Sequence, residues 1–190
     1  INLVNKKSSG ICRAGGIIGY LRAGSVHECK TEIKISGSAY RPRFGGIVGE
    51  AETLGPVNSI TIENCYMING SIVATNSGDR VLGGIVGRVE RGSNGTKTYV
   101  NIISCYADFY MSTQGYNGAM VGLSEGNGVT KLTAVYWNSS RCAAVIEDTT
   151  DKGAVGRTDM RGTDYSGGNW RESNIWVLST FDSPRLAWER

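Results

Sequence analysis

The chain has 190 residues, 40% of them hydrophobic, and a formal charge of +3. That length suits one domain with a sizeable core. So small a net charge argues against a strongly basic nucleic-acid surface, and no apolar run reaches the roughly 18 residues of a membrane-spanning helix. Glycine is abundant, 27 residues against 3 prolines, where ordinary usage is about 7% glycine.

Read in order, the chain repeats itself. The first unit carries GGIIG at 15–19 and then SVHECKTEI, which holds Cys29. The second carries GGIVG at 45–49 and SITIENCYM, which holds Cys65. The third carries GGIVG at 83–87 and VNIISCYAD, which holds Cys105. The fourth carries GAMVG at 118–122 and KLTAVYWNS, where Val135 stands in the cysteine's place. The glycine cores are spaced by 30, 38 and 35 residues, the mark of a repeat architecture in which each unit buries its apolar face on the next.

Aligned on the cysteine, further columns match: Val26, Ile62, Ile102 and Leu132 three residues before it; Lys30, Tyr66, Tyr106 and Tyr136 directly after; Thr31, Met67, Ala107 and Trp137 two after. Cys105, Ala107, Phe109 and Met111 alternate as the buried face of a strand should. Ile102 and Cys105 differ by an odd number, so a bend or bulge between them is expected, placing both inward at a corner. Ile, Val, Thr and Tyr occur in short runs broken by turn-forming stretches such as TNSG, GSNG and SEGNG. The chain therefore reads as all-β. A short helical turn near TDMRG is the one helical expectation. Residues 1–137 hold the four repeats and residues 138–190, which lack the glycine core, form a capping segment of the same domain. Trp176, Leu186 and Trp188 are expected to fold over the last unit, because an open stack end exposes backbone.

The glycines are expected to allow close backbone approach and unusual torsions where each unit bends. A phosphate cradle would occur once, open a helix and be followed by Lys-Ser or Lys-Thr; none of the four copies meets that pattern. Arg41, Arg43, Arg80, Arg88 and Arg91 are interleaved with Glu50, Glu52, Asp79 and Glu90, which reads as a mixed, solvated surface. Cys29, Cys65 and Cys105 share one column, so they are expected to form a ladder of free, buried thiols rather than disulfides; Cys12 and Cys142 lie outside it.

Chemistry-bearing residues are few. His27 is the single histidine, so a nucleophile–histidine pair or a zinc site has almost nothing to use; it reads as a surface or turn residue. Glu50 and Glu90 are the candidate carboxylate pair for a glycan-cleaving site, although they do not occupy one column. Residues 147–153, EDTTDKG, could hold calcium by loop oxygens but lack the regular acid spacing of a known loop. No catalytic residue, cofactor ligand or metal ligand is assigned.

GGIVG, a variable loop, IENCY and NGSIVA together resemble the GLUG repeat, found in bacterial surface and secreted proteins. It also occurs in immunoglobulin-A-cleaving metallopeptidases, outside the catalytic domain. The chain's end is similar to the closing segment of such arrays: Tyr136 and Trp137, Thr158 and Met160, Trp170 and Trp176, then Pro184, Leu186 and Trp188. The departures are Ala119 for the second glycine, Val135 for the cysteine, and Lys30 for the tyrosine. The resemblance implies a parallel β-solenoid, a right-handed β-helix with a C-terminal cap; an antiparallel β-prism or roll is the alternative. It also implies a non-enzymatic extracellular module of a bacterial cell surface, adhesive or stalk-like, with glycans or proteins as partners. The competing reading is a polysaccharide-active enzyme, or an accessory domain of a secreted peptidase, marked by acids and arginines converging in one groove. The chain begins with Ile and shows no leader-like segment, so it is expected to be a piece of something longer.

Overall fold

The computed structural model describes residues 2–3, 10–53, 59–75, 79–92, 97–111, 115–125, 128–142, 154–172 and 174–189. Among these there is no α-helix. Each repeat contributes one strand to each of four sheets, and equivalent strands of successive repeats pair in parallel.

The first strand of each repeat precedes the glycine core: β2 (Cys12–Gly15), β7 (Pro42–Gly45), β11 (Val81–Gly83) and β15 (Tyr116–Gly118). The second leaves it: β3 (Ile18–Leu21), β8 (Val48–Ala51), β12 (Val86–Val89) and β16 (Val121–Ser124). The third comprises β4 (Gly24–His27), β9 (Ser59–Glu63), β13 (Thr98–Ile103) and β17 (Gly128–Thr133). The fourth follows the cysteine column: β5 (Lys30–Thr31) with β6 (Lys34–Gly37), then β10 (Tyr66–Ala74), β14 (Tyr106–Met111) and β18 (Val135–Asn138). This last sheet alone is extended, by β1 (Asn2–Leu3) on β6 and β19 (Ala154–Arg157) on β18.

The repeat columns are the register of the sheets. Val26 pairs with Ile62, Ile62 with Ile102 and Ile102 with Leu132; Lys30 pairs with Tyr66, Tyr66 with Tyr106 and Tyr106 with Tyr136. Parallel pairing in all four sheets leaves the antiparallel alternative without support there. The only antiparallel strand pair among the described residues is β20 (Trp176–Val177) with β21 (Arg185–Leu186), in the C-terminal segment.

The corner expected before the cysteine is present in every repeat. Glu28, Asn64, Ser104 and Ala134 all adopt left-handed torsions, with φ between 49° and 53°. One such residue reverses the pleat, so Ile102 and Cys105 are both fully buried. None of the four is glycine.

The core glycines serve space, not torsion, since none of them has a positive φ. A Cβ on Gly45 would stand 1.9 Å from the Val48 carbonyl oxygen of its own bend. A Cβ on Gly16, Gly46 or Gly84 would meet the backbone oxygen of Gly46, Gly84 or Ala119 in the next repeat, at 2.2, 2.0 and 2.0 Å. Thr31, Met67 and Ala107 press on the same three glycines from the fourth sheet. Among the described residues β15 is the last strand in its sheet, so no described strand follows Ala119 there to meet its methyl group.

The inner core holds Ile47, Ile85, Met120, Phe44, Leu82, Met67, Cys65 and Cys105, all fully buried. All five cysteines are free. The thiols of Cys29, Cys65 and Cys105 each lie 3.2 Å from the carbonyl oxygen two residues earlier. The Cys65 thiol is held far above the ordinary thiol range, first by its hydrogen bond to Cys105 and then by burial, against the opposing bond from Cys29. Cys142 lies outside the ladder, its Sγ 3.2 Å from the Phe109 carbonyl.

Two expectations about the C-terminal segment are corrected. The TDMRG stretch forms no helix; Asp159 instead accepts the Arg161 amide at 2.9 Å. A 3-10 turn stands at Ala187–Glu189. Of the C-terminal segment, β19 pairs with β18 of the last repeat, but Trp176, Leu186 and Trp188 do not fold over that repeat. The segment runs back along the flank of the stack, and Trp188 is 59% exposed beside the first repeat. The route follows the tyrosine stripe, with Trp170 and Trp176 packed against Tyr66, Tyr106 and Tyr136.

Candidate functional site

Tyr66, Tyr106 and Tyr136 stand on the outer face of the fourth sheet. Parallel register stacks the rings of Tyr66 and Tyr106 at 4.6 Å and 14°. The C-terminal strap covers them with Met160, Tyr165, Trp170, Trp176 and Leu186, forming a second core outside the stack. Trp170 touches both Tyr106 and Tyr136, and packs on Trp176 at 4.3 Å. Such offset aromatic pairs add to plain area burial.

The strap is stitched to all four left-handed corners. The Trp170 indole N–H donates to the Ala134 carbonyl at 2.6 Å, and the Asn169 amide donates to Ser104 Oγ at 2.7 Å. Trp176 Nε1 donates to Asn64 Oδ1 at 3.2 Å, and Trp188 Nε1 to the Glu28 carbonyl at 3.2 Å. Lys30 now has a reason to replace tyrosine. The strap's end is acidic there, and Lys30 donates to Glu189 at 2.9 Å while Glu189 also accepts from the Tyr66 hydroxyl. Burial alone would raise the Glu189 carboxyl, but hydrogen bonds from Tyr66, Lys30 and the Leu186 amide hold it below the ordinary glutamate range. The Tyr66 hydroxyl is pushed well up, first by burial and then by its bond to Glu189.

Between strap and sheet a cleft of about 560 Å³ remains, lined from the sheet by Lys30, Glu32, Tyr66, Ile68, Asn69 and Tyr106, and from the strap by Arg161, residues 181–185 and Glu189. Its wall is irregular for a definite reason. Register between β10 and β14 skips from the Ile68–Asp108 pair to the Gly70–Phe109 pair, leaving Asn69 as an extra residue. Asn69 has φ of 54° and is exposed. Bulges of this kind re-aim side chains.

A second polar constellation lies between the first two sheets. Glu50 on β8 receives Arg13 Nε at 2.7 Å and Arg43 Nη1 at 2.6 Å, and the same Arg43 nitrogen reaches Glu90 at 2.9 Å. Arg88 continues the chain of charges to Glu90 at 3.2 Å and to Glu125. Arg43, Glu50 and Arg88 are 4%, 1% and 6% exposed, which corrects their assignment to a solvated surface. The correction has a sequence signal: Glu50 and Arg88 stand in one column, each directly after its glycine core, and pair across the sheet, so opposite charges meet between the second and third repeats. Burial, then the nearby Arg43, lowers the Arg88 guanidinium below its ordinary range.

The structure thus brings Glu50 and Glu90 together, through Arg43 rather than through a column. His27, half exposed on β4, lies 3.3 Å from Glu63 on the neighbouring strand. Residues 147–153 lie outside the described residues, as does much of the variable loops at 54–58, 93–96 and 126–127. Among the described residues no cluster of three potential metal ligands occurs, and no helix is long and apolar enough to cross a membrane. No protein-family model, curated protein or solved structure matches the chain.

Proposed function

We propose that the chain is a right-handed parallel β-solenoid of GLUG-type repeats, serving as a non-enzymatic extracellular module of a bacterial surface protein, adhesive or stalk-like. One observation carries this reading: the strap is bonded to the corner of every repeat. Such an arrangement ties the stack lengthwise, as a rod or platform requires. Stacked repeats contact only their neighbours, and a lengthwise strap adds contacts that span them.

The convergence of acids and arginines at Glu50, Arg43 and Glu90 favours the second reading, a glycan-cleaving or accessory enzyme domain. The geometry weighs against it at Glu50, because both carboxylate oxygens are taken by guanidinium groups and the side chain is 1% exposed. A buried carboxylate compensated in this way is a structural ion pair. The test is to incubate the chain with polygalacturonate, alginate and hyaluronan and to follow new reducing ends and unsaturated products. No release is expected; release that disappears in the Glu90→Gln variant would establish the enzyme reading instead.

A further inference from the structure

We infer that the cleft between the strap and the fourth sheet is a binding site for a neutral oligosaccharide. The inference rests on the adhesive form of the proposed function and names the surface that would do the binding.

The cleft combines an apolar platform with uncommitted polar groups. Phe181 is 82% exposed at its rim, the most exposed large hydrophobic residue described. Every strap aromatic from Tyr165 to Trp176 is buried in the second core, so the stripe is covered without Phe181. A sugar ring presents an axial C–H face to such a platform and hydroxyl groups around its edge. Asp182 and Arg185 flank the platform, and neither has an ion-pair partner among the described residues, whereas Lys30 is taken by Glu32 and Glu189, and Arg161 by Asp159. A carboxylate accepts from adjacent hydroxyls and a guanidinium donates to them in a fork.

The opposite wall supplies Asn69. Of the strands in this sheet, β10 is longer by one residue than both of its neighbours over the same span: Met67 to Ser71 matches Thr31 to Lys34 on one side, and Ile68 to Gly70 matches Asp108 to Phe109 on the other. The extra residue is Asn69, held in a left-handed conformation and lining the cleft. A regular repeat stack gains nothing from it. An amide set opposite the platform provides a donor and an acceptor together.

Charge selects the sugar class. Lys30, Arg161 and Arg185 are balanced by Glu32, Asp182 and Glu189. A polyanionic glycan would meet three carboxylates, whereas a neutral one meets a set of donors and acceptors without net repulsion. The volume, about 560 Å³, lies within the usual range of roughly 300–1,000 Å³ for small-molecule sites.

The experiment uses the full chain with lactose, maltotriose, cellotriose and triacetylchitotriose as probes, with trigalacturonate as the charged comparison, read by saturation-transfer NMR and calorimetry. At least one neutral probe is expected to bind. Phe181→Ala should weaken it about tenfold through loss of ring stacking, and Asn69→Gly should weaken it without lowering the melting temperature. Tyr110→Ala, removing an exposed aromatic on the same sheet outside the cleft, should leave affinity unchanged. Absence of binding by every neutral probe, binding by trigalacturonate alone, or undiminished binding in the Phe181→Ala variant would each overturn the site. If no probe binds and no glycan is cleaved, the cleft assignment falls while the stalk reading stands.

Discussion

The molecule has two hydrophobic cores built on different rules. The inner core is largely aliphatic and thiol-rich, and most of its positions recur down the stack. The outer core is mostly aromatic, and only three of its eight buried residues recur: the tyrosine column comes from the repeats, while Met160, Tyr165, Trp170, Trp176 and Leu186 come from a segment that repeats nothing. The inner core is tight because glycines let backbones touch; the outer core is tight because large rings fill a groove. The lesson is that periodic packing constrains backbone spacing, whereas the strap constrains side-chain shape.

The sharpest way to break that distinction is to add one carbon. Gly84→Ala places a Cβ 2.0 Å from the Ala119 carbonyl oxygen and 2.6 Å from the Phe109 ring. We expect a loss of more than about 3 kcal/mol, read as insolubility or a collapse of the denaturant midpoint. The reverse change one repeat later, Ala119→Gly, should cost only about 0.5–1 kcal/mol, the backbone-entropy cost of glycine. Equal effects at the two positions would refute the account of the glycine core.

Trp170→Ala attacks the outer core. It removes a fully buried ring and the bond to the Ala134 carbonyl, with an expected cost of about 3–5 kcal/mol. Near-ultraviolet circular dichroism should collapse while the β signal in the far ultraviolet persists, since the inner stack does not contain this residue. Simultaneous loss of both signals would mean that the two cores are one cooperative unit.

Acid should loosen the strap's end before the stack. Glu189 has a folded pKa below its ordinary 4.5, so its contribution is fully present above that value and is lost as pH falls through the lower, folded one. Lys30 and the Tyr66 hydroxyl face it, with Glu32 on the far side of Lys30. Tryptophan emission should shift in that acidic window, and the step should vanish in Glu189→Gln. A step that survives the substitution would assign it to another carboxylate.

The smallest effect tests the corners. Ala134 adopts φ of 52°, a conformation that costs an L-residue about 1 kcal/mol relative to glycine. Ala134→Gly should therefore raise the stability by about 0.4–1 kcal/mol, measured as a higher denaturant midpoint at unchanged slope. The backbone carbonyl that receives Trp170 is retained.

From the sequence alone follow the all-β class, the four units, the corner before the cysteine and the register of each column. The reason is that stacking makes identical demands on every unit, so the demands are written four times. Ala119 and Lys30 stand out there as departures but carry no explanation, because their causes are a missing neighbour and a distant carboxylate. The solvated reading of Arg43, Glu50 and Arg88 fails for a related reason. Charge type is visible in a sequence, but burial and compensation depend on which strands face each other. The strap's path lies further still beyond the sequence: its aromatics announce that something is covered, and only the three-dimensional alignment of Tyr66, Tyr106 and Tyr136 decides that it is the flank and not the end. The cleft beside Asn69 exists because that path leaves room against a strand one residue too long, a coincidence of two segments more than a hundred residues apart.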